Sequence, residues 1–338
     1  MRKTKFSLLT ILLLLMTLSM MFCIPSAGIT EEARNRYQNE SFDEEDFMEE
    51  AGLLPTAVLA SAVFSDILPA ANIPALPVDW TEPGKTPLAS GFTENGYRDD
   101  SIIVEMEKKR LDDSDVYIAY VKIATPSQLR TAVAGTKLSS ASTNQTTRIM
   151  QNYNGIVAIN GDYFSKTKAG YIVRMGESYR EQTSKNLDLL LIDELGDFHL
   201  IARGHENQKR EIQAFLSQHE IVNGFFFGPA LVIDGKTQDI PEDYQFDPSQ
   251  PNPRAAIGQL GPLTYVMVAV NGRTDESAGV TMADFAQIMS DLGCQQAYNL
   301  DGGNSATLAF NGSVYNSKPQ AERGVQDIIY FATATGEE

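Results

Sequence analysis

The sequence predicts an α+β fold: one mixed-sheet domain with packed helices, preceded by an N-terminal export segment and a linker. Three observations carry this. Seven strand-like runs bounded by Gly, Pro, Asn or Asp crowd the chain from about Tyr97 onward. One segment there shows clean helical periodicity, and the residues before Tyr97 have a different texture altogether.

The chain begins MRKTK, three positive charges without a negative one, and runs on through an uncharged apolar stretch from Phe6 to Ile24. That order is the n-region and h-region of a secretory signal. Small residues at Ser26, Ala27 and Gly28 allow cleavage, while the length of the run also permits a retained membrane anchor. Cys23 follows Met-Met-Phe, a poor context for lipidation. Residues 29–50 hold nine acids against two arginines and read as a solvated spacer or polar helix. Residues 51–77 are apolar but broken by Pro55, Pro69, Pro74 and Pro77, which favours an amphipathic segment leading into a linker. The expected divisions are therefore an export segment at 1–28, a spacer at 29–96 and the working domain at 97–338, placed outside the cytoplasm.

The 338 residues carry a formal charge of −17, and loss of Arg2, Lys3 and Lys5 with the leader would take it to −20. Such a balance argues against nucleic acid and anionic lipid as partners. Cys294 is the one cysteine outside the leader, so an internal disulfide is not expected; beside an apolar helix pattern it reads as a small buried hydrophobe.

In TMADFAQIMSDLG, Met282, Phe285, Ile288, Met289 and Leu292 share one helical face, with Thr281 as cap and Gly293 as stop. A weaker helix is expected in NQTTRIMQNYN. The strand-like runs include GIVAINGDYF, EIVNGFFFGPALVIDG and QDIIYFATA.

Chemistry concentrates at the ends of these runs. NLDGGNSATLAFNG brings Asn299, Asp301, Asn304 and Ser305 into a turn where Gly302 and Gly303 allow close backbone approach. Such a turn can offer a carboxylate and backbone N–H groups to a sugar or phosphate, although many hairpins use the same residues merely to turn. AINGDYF places Asn160 and Asp162 at the end of a buried strand, as sugar ligands, as acid, base or metal ligand, or as an Asx turn. VNGFFFGPA repeats the pattern at Asn223, with most of Phe225, Phe226 and Phe227 in the core and one aromatic free to stack on a sugar ring. Arg254, Arg273 and Arg323 recur beside glycine-rich strand ends, where guanidinium groups can grip phosphate or carboxylate. Asp162 and Asp301 could instead ligate calcium or magnesium, and the alternative of no cofactor stays open. HExxH, CxxC, P-loop and Rossmann signatures are absent. His199, His205 and His219 are too few and too irregularly spaced to suggest a catalytic zinc.

Taken in order, AINGDYF, NGFFFGPALVIDG, NPRAAIG, VNGR, TMADFAQIMSDLGC, NLDGGNSATLAFNG and ERGVQD resemble the phosphodiester glycosidase family, from about Gly155 to Phe331. The resemblance implies a hydrolase cleaving a sugar 1-phosphodiester or related glycosidic linkage. Its substrate would be an extracellular or envelope glycan or another sugar-phosphate conjugate, and bacterial members are associated with exopolysaccharide. The resemblance carries over to Asp301 and Arg254 as catalytic candidates, and the strand-end reading adds Asp162. For substrate it carries over to Asn160, Asn223, Gly302, Gly303, Ser305 and Arg323, and the reading of the residues adds Arg273 and Asn299. Asp162 and Asn304 stand where glycine is common in the family. The competing reading is a noncatalytic envelope polysaccharide-binding or assembly protein, and oligomeric state is left open.

Overall fold

Alternation along the strands decides the layering. In Ile102–Leu111 and Ser114–Ile123, residues of one parity, Ile102, Val104, Tyr117, Ala119 and Val121, bury toward the central core. Residues of the other parity, Ile103, Val116, Ile118 and Tyr120, bury toward a helix. A strand buried on both faces belongs in the middle of a layered domain. The computed structural model describes residues 73–336 except 112, 138–141, 167–169 and 319. The export segment and most of the acidic spacer lie outside these residues, and among the described residues no helix is long and apolar enough to cross a membrane.

The first sheet has nine strands. Its centre runs Ile102–Leu111, Ser114–Ile123, Thr264–Val270, Arg254–Gly261, Gln296–Asn299 and Ala230–Ile233, each pair antiparallel. Phe92–Thr93 and Gly96–Arg98 extend one edge. The folded unit therefore starts before Tyr97: Arg130 also donates to the carbonyls of Asp79 (2.5 Å) and Thr81 (2.9 Å), fixing the chain ahead of the expected boundary.

Among the described residues, two five-stranded sheets and a two-stranded pairing of Asn144–Gln145 with Gly324–Val325 complete the α+β architecture. The second runs Phe198–Ile201, Leu189–Asp193, Ile221–Phe225, Gly170–Arg174 and Glu177–Gln182; the third runs Ser313–Val314, Leu308–Phe310, Val157–Asn160, Asp327–Phe331 and Leu129–Val133. Val157, Ile159, Leu190, Ile192, Leu308 and Ile329 meet the first sheet in the central core. Three α-helices close the outer faces. Helix α1 (Thr146–Asn152) packs Ile149 and Met150 on the third sheet, and α2 (His205–Leu216) packs Ile212 and Phe215 on the second. Helix α3 (Met282–Asp291) covers the first sheet with Met282, Phe285, Ala286 and Met289. Thr281 and Asp284 cap it reciprocally, and Gly293 follows it at φ +84°. Cys294 is buried beneath this layer, and burial pushes its thiol pKa up.

Tyr298 ties the first sheet to the second. Its hydroxyl accepts from the Phe227 N–H at 2.8 Å and donates to the Asp188 carbonyl at 2.8 Å. Tyr298→Phe strands both buried backbone groups, at a cost of roughly 1–3 kcal/mol. Urea unfolding should show a lower midpoint at an unchanged slope, and a wild-type midpoint would remove Tyr298 as a tie.

Candidate active site

Strand Val157–Asn160 ends against the turn at Asp301, and the contact is made by an amide. Asn160 is fully buried; its Nδ2 donates to the Asp301 carbonyl at 2.7 Å and its Oδ1 accepts from the Thr307 N–H at 3.0 Å. The side chain therefore holds two loops together and does not face substrate. Gly161 follows, and only glycine fits there: a Cβ would stand 2.4 Å from Asp327 Oδ1. Gly302 is equally constrained, since a Cβ would meet the Pro253 carbonyl at 2.7 Å, and Gly303 turns the chain at φ +59°.

Beneath the turn lies a buried ionic cluster. Arg174 donates through Nη2 to Asp162 Oδ1 at 2.7 Å and through Nε to Asp327 Oδ2 at 2.5 Å. It also reaches the Gly224 carbonyl, and its guanidinium lies 4.0 Å from the centroid of the Phe225 ring. Burial works against the charge on Arg174, but Asp327 and Asp162 outweigh it and its pKa is raised. Asp162 Oδ2 accepts the Phe226 N–H at 2.7 Å, so both of its oxygens are engaged. Asp162 thus commits a hydrogen bond at each oxygen to the floor of the site, one accepted from Arg174 and one from the Phe226 N–H.

Asp327 Oδ1 is buried without a hydrogen-bond partner. Burial drives the Asp327 carboxyl upward, with Arg174 opposing and Asp162 and Asp301 reinforcing the shift. Asp301 is half-buried; burial raises its pKa to about 6, against the lowering effects of the Ser305 hydroxyl and Arg323. Burial and nearby carboxylates thus raise both Asp301 and Asp327, which favours retention of a proton on them toward neutrality. Asp327 and Arg174 were not singled out in the sequence. Asp327 stands inside ERGVQD, and the glycine it displaces at 161 is its one linear signal.

The arginines divide. Arg323 is exposed at the turn, donating to Ser305 Oγ at 3.2 Å, with its guanidinium 5.4 Å from the centroid of the half-buried Tyr163 ring. Arg273, also exposed, lies on the other side, its Nη1 3.4 Å from where a Gly303 Cβ would be. Asn252 Oδ1 steadies it at 2.7 Å. The backbone of Arg254 adjoins the turn, its Cα 3.7 Å from where a Gly302 Cβ would be, but its side chain serves other loops. It shares a strand face with Ala256, toward α3, and donates to the carbonyls of Val280 (3.1 Å), Gln250 (2.8 Å) and Asp247 (3.2 Å). Burial beside Arg273 lowers its pKa to about 10. The expected phosphate clamp at Arg254 is thus a loop-holding side chain.

Asn223 and Asn299 are likewise turned inward. Asn223 accepts from Thr131 Oγ1 (2.7 Å) and the Met175 N–H (3.0 Å), and Asn299 donates to the Gly228 carbonyl at 2.7 Å. Phe225, Phe226 and Phe227 are all buried, so none offers the exposed ring expected for sugar stacking. A hollow of about 250 Å³ adjoins the turn, lined by Pro253, Asn271, Gly272, Gly303, Asn304 and Lys318. The Lys318 ammonium donates to the Asn304 and Ala306 carbonyls, each at 3.1 Å, and to Thr307 Oγ1 at 2.7 Å, pinning the turn from below.

Histidines that look scattered in sequence also meet. Asp193, His199 and His219 bring one donor atom each within 4.8 Å of the others, a set able to coordinate a divalent cation. His205 is not part of it and contacts Thr183.

Arg174→Gln leaves Asp162 and Asp327 without their counter-charge and should cost about 3–5 kcal/mol in urea unfolding; a loss below 1 kcal/mol would remove the cluster as a stabilising unit. Asp301 gives a signed pH effect. Its folded pKa exceeds the unfolded value near 3.8, so its contribution falls as pH rises from about 4 through about 6 and is level above. Asp301→Asn should therefore match wild type near pH 4 and gain roughly 1–2 kcal/mol at pH 7. A gain confined to pH 4 would reverse the assignment.

Comparison with known proteins bears on the family and the fold. The phosphodiester glycosidase family model matches residues 153–332, more than half of the chain. The SPbeta prophage-derived uncharacterized protein YomE of Bacillus subtilis (strain 168) is 36% identical over 108 residues, which cover 32% of this chain and 17% of that protein. The match thus spans under a fifth of that relative. Among solved structures, the catalytic domain of zebrafish N-acetylglucosamine-1-phosphodiester alpha-N-acetylglucosaminidase, auto-inhibited by its pro-peptide, is similar with a TM-score of 0.54 at 17% identity. That alignment covers 75% of this chain and 87% of the zebrafish one. A hypothetical protein from Synechocystis gives a TM-score of 0.47 at 17% identity, over 68% of this chain and 62% of that one. The family match runs through the strands that carry Asp162, Arg174, Asp301 and Asp327, and the chain belongs to the phosphodiester glycosidase family.

Proposed function

We propose that the protein hydrolyses a sugar 1-phosphodiester or closely related glycosidic linkage in an extracellular or cell-envelope glycan. One feature carries the reading: a half-buried carboxylate, Asp301, belongs to a glycine turn that has Arg323 bonded to Ser305, Arg273 beside Gly303, and a hollow of about 250 Å³ lined by Gly303 and Asn304. Arg323 binds the phosphate and stabilises the negative charge that develops on it as the bond to the anomeric carbon breaks. Arg273 supplies a second cation across the turn. Asp301, ionised above about pH 6, activates water or stabilises positive character at the sugar. Phosphate is already a good leaving group, so a strong acid on the far side is not required. Asp162 and Asp327 act through Arg174 to keep the floor of the cleft charged and rigid, and the Tyr163 face offers a stacking surface for a sugar ring. Action outside the cytoplasm, on an exopolysaccharide or similar polymer, follows from the basic-then-apolar N-terminal pattern.

The test is mass-spectrometric detection of sugar and phosphate products when the full chain is incubated with a panel of sugar 1-phosphodiesters and envelope glycans. Asp301→Asn should lower turnover by about 10²–10⁴-fold while remaining folded, and the wild-type kcat/KM should rise with pH through about 6. Turnover undiminished in Asp301→Asn would sink the role of Asp301. Saturable glycan binding without product would transfer the protein to the binding-module reading.

A further inference from the structure

We propose that Asp193, His199 and His219 form a binding site for one zinc-like transition-metal ion that staples the second sheet to the segment following α2. This site is independent of the hydrolytic reading.

Its centre is fixed by the backbone. Asp193 Oδ1 accepts the N–H groups of Leu195 (2.9 Å) and Asp197 (2.8 Å), which holds the carboxylate in one orientation. Oδ2 then faces two ring nitrogens, His199 Nε2 at 2.9 Å and His219 Nδ1 at 3.2 Å. The strand register slips between Ile192 and Asp193, and such a bulge re-aims the side chain that follows it. Phe215 of α2 packs against both imidazoles, with ring centroids 4.8 Å and 5.3 Å away, and the two imidazoles are 5.2 Å apart. The rings are therefore held in place from behind.

The decisive atom is His219 Nδ1. It is buried and lies close to the carboxylate oxygen, yet it makes no hydrogen bond. A buried ring nitrogen left without a hydrogen bond beside a carboxylate and a second imidazole is placed as a ligand, because a metal among the three donors gives it a partner. Glu194 Oε1, 3.6 Å from the same nitrogen, is the available fourth donor at the rim, with water as the alternative. Two imidazoles and a carboxylate suit zinc and its neighbours, whereas calcium and magnesium prefer all-oxygen shells.

The site is structural. Asp193 pairs with Ile221 at one end of strand Ile221–Phe225, while the ionic cluster engages Gly224 and Phe226 at the other. Four residues of extended chain put about 13 Å between them. A metal here adds a side-chain tie between the hairpin of Leu189–Asp193 and Phe198–Ile201 and the stretch leaving α2, which otherwise meet through strand pairing and the Glu220 N–H bond to Glu194.

The experiment uses the untagged full chain, stripped with a chelator and titrated separately with Zn²⁺, Co²⁺, Ca²⁺ and Mg²⁺. Equilibrium dialysis should give one Zn²⁺ per chain, and Co²⁺ should produce the visible bands of a low-coordinate nitrogen and oxygen site. At a hundredfold excess over Kd, Zn²⁺ should raise Tm by about 5–10 °C, with Ca²⁺ and Mg²⁺ inert. His219→Ala, at the rim and therefore the variant least disturbing to folding, should weaken Zn²⁺ binding by more than the roughly 10–100-fold typical of lost outer-shell partners. Absence of stoichiometric Zn²⁺ at micromolar concentration would overturn the proposal, as would wild-type affinity in a folded His219→Ala. Failure of the hydrolase assay would leave it standing, since it reads metal uptake and melting alone.

Discussion

The pairing of Arg174 with Asp162 and Asp327 is the constraint around which the cleft is arranged. An arginine buried to 4% exposure is tolerated only with its charge matched and its donors used, and here two carboxylates and the Gly224 carbonyl provide both. The three residues come from three different strands or strand ends, so their pairing fixes the second sheet against the third. Asp301 is then poised above this set and feels its negative charge. A carboxylate intended to change protonation near neutrality needs such surroundings, partly dry and already rich in acid. Exposed Arg323, linked through Ser305, keeps the shift moderate.

The glycine-rich turn derives its shape from neighbours rather than from its own sequence. Asn160 grips the Asp301 carbonyl, Pro253 closes on Gly302, and Lys318 spends its ammonium on Asn304, Ala306 and Thr307. Each contact satisfies a backbone group that would otherwise be left bare next to a water-filled hollow. The result is a turn with little freedom, appropriate for presenting a carboxylate at a fixed place.

Much of the fold could be read from the residues. Helix α3 was visible because its burial is one-sided: Met282, Phe285, Ile288 and Met289 recur at helical spacing. Helix α2 was not, since HENQKREIQAFL buries just Gln208, Ile212 and Phe215 and its polarity hides the stripe. The candidate site was legible as a set of strand ends, but direction was not. Arg254 differs from a cleft arginine only in strand parity, and Asn160, Asn223 and Asn299 look like ligands until their amides are seen serving the backbone. The irregular spacing of His199 and His219 argues against a metal site in the sequence, and Asp193 does not stand out there, because a hairpin and the far end of a helix bring the three together and linear spacing does not record that geometry.

Arg174 and Asp327 are 153 residues apart in sequence, and every other member of the cleft depends on that closure. The distance has a consequence for the chain before it is complete. A nascent chain holds Asp162 and Arg174 long before Asp327 arrives, and so it carries an incompletely matched guanidinium until its C-terminal strand is made. The buried cluster can therefore close only once the last strand of the third sheet docks, so the arrangement around Asp301 is among the last parts of the fold to be completed.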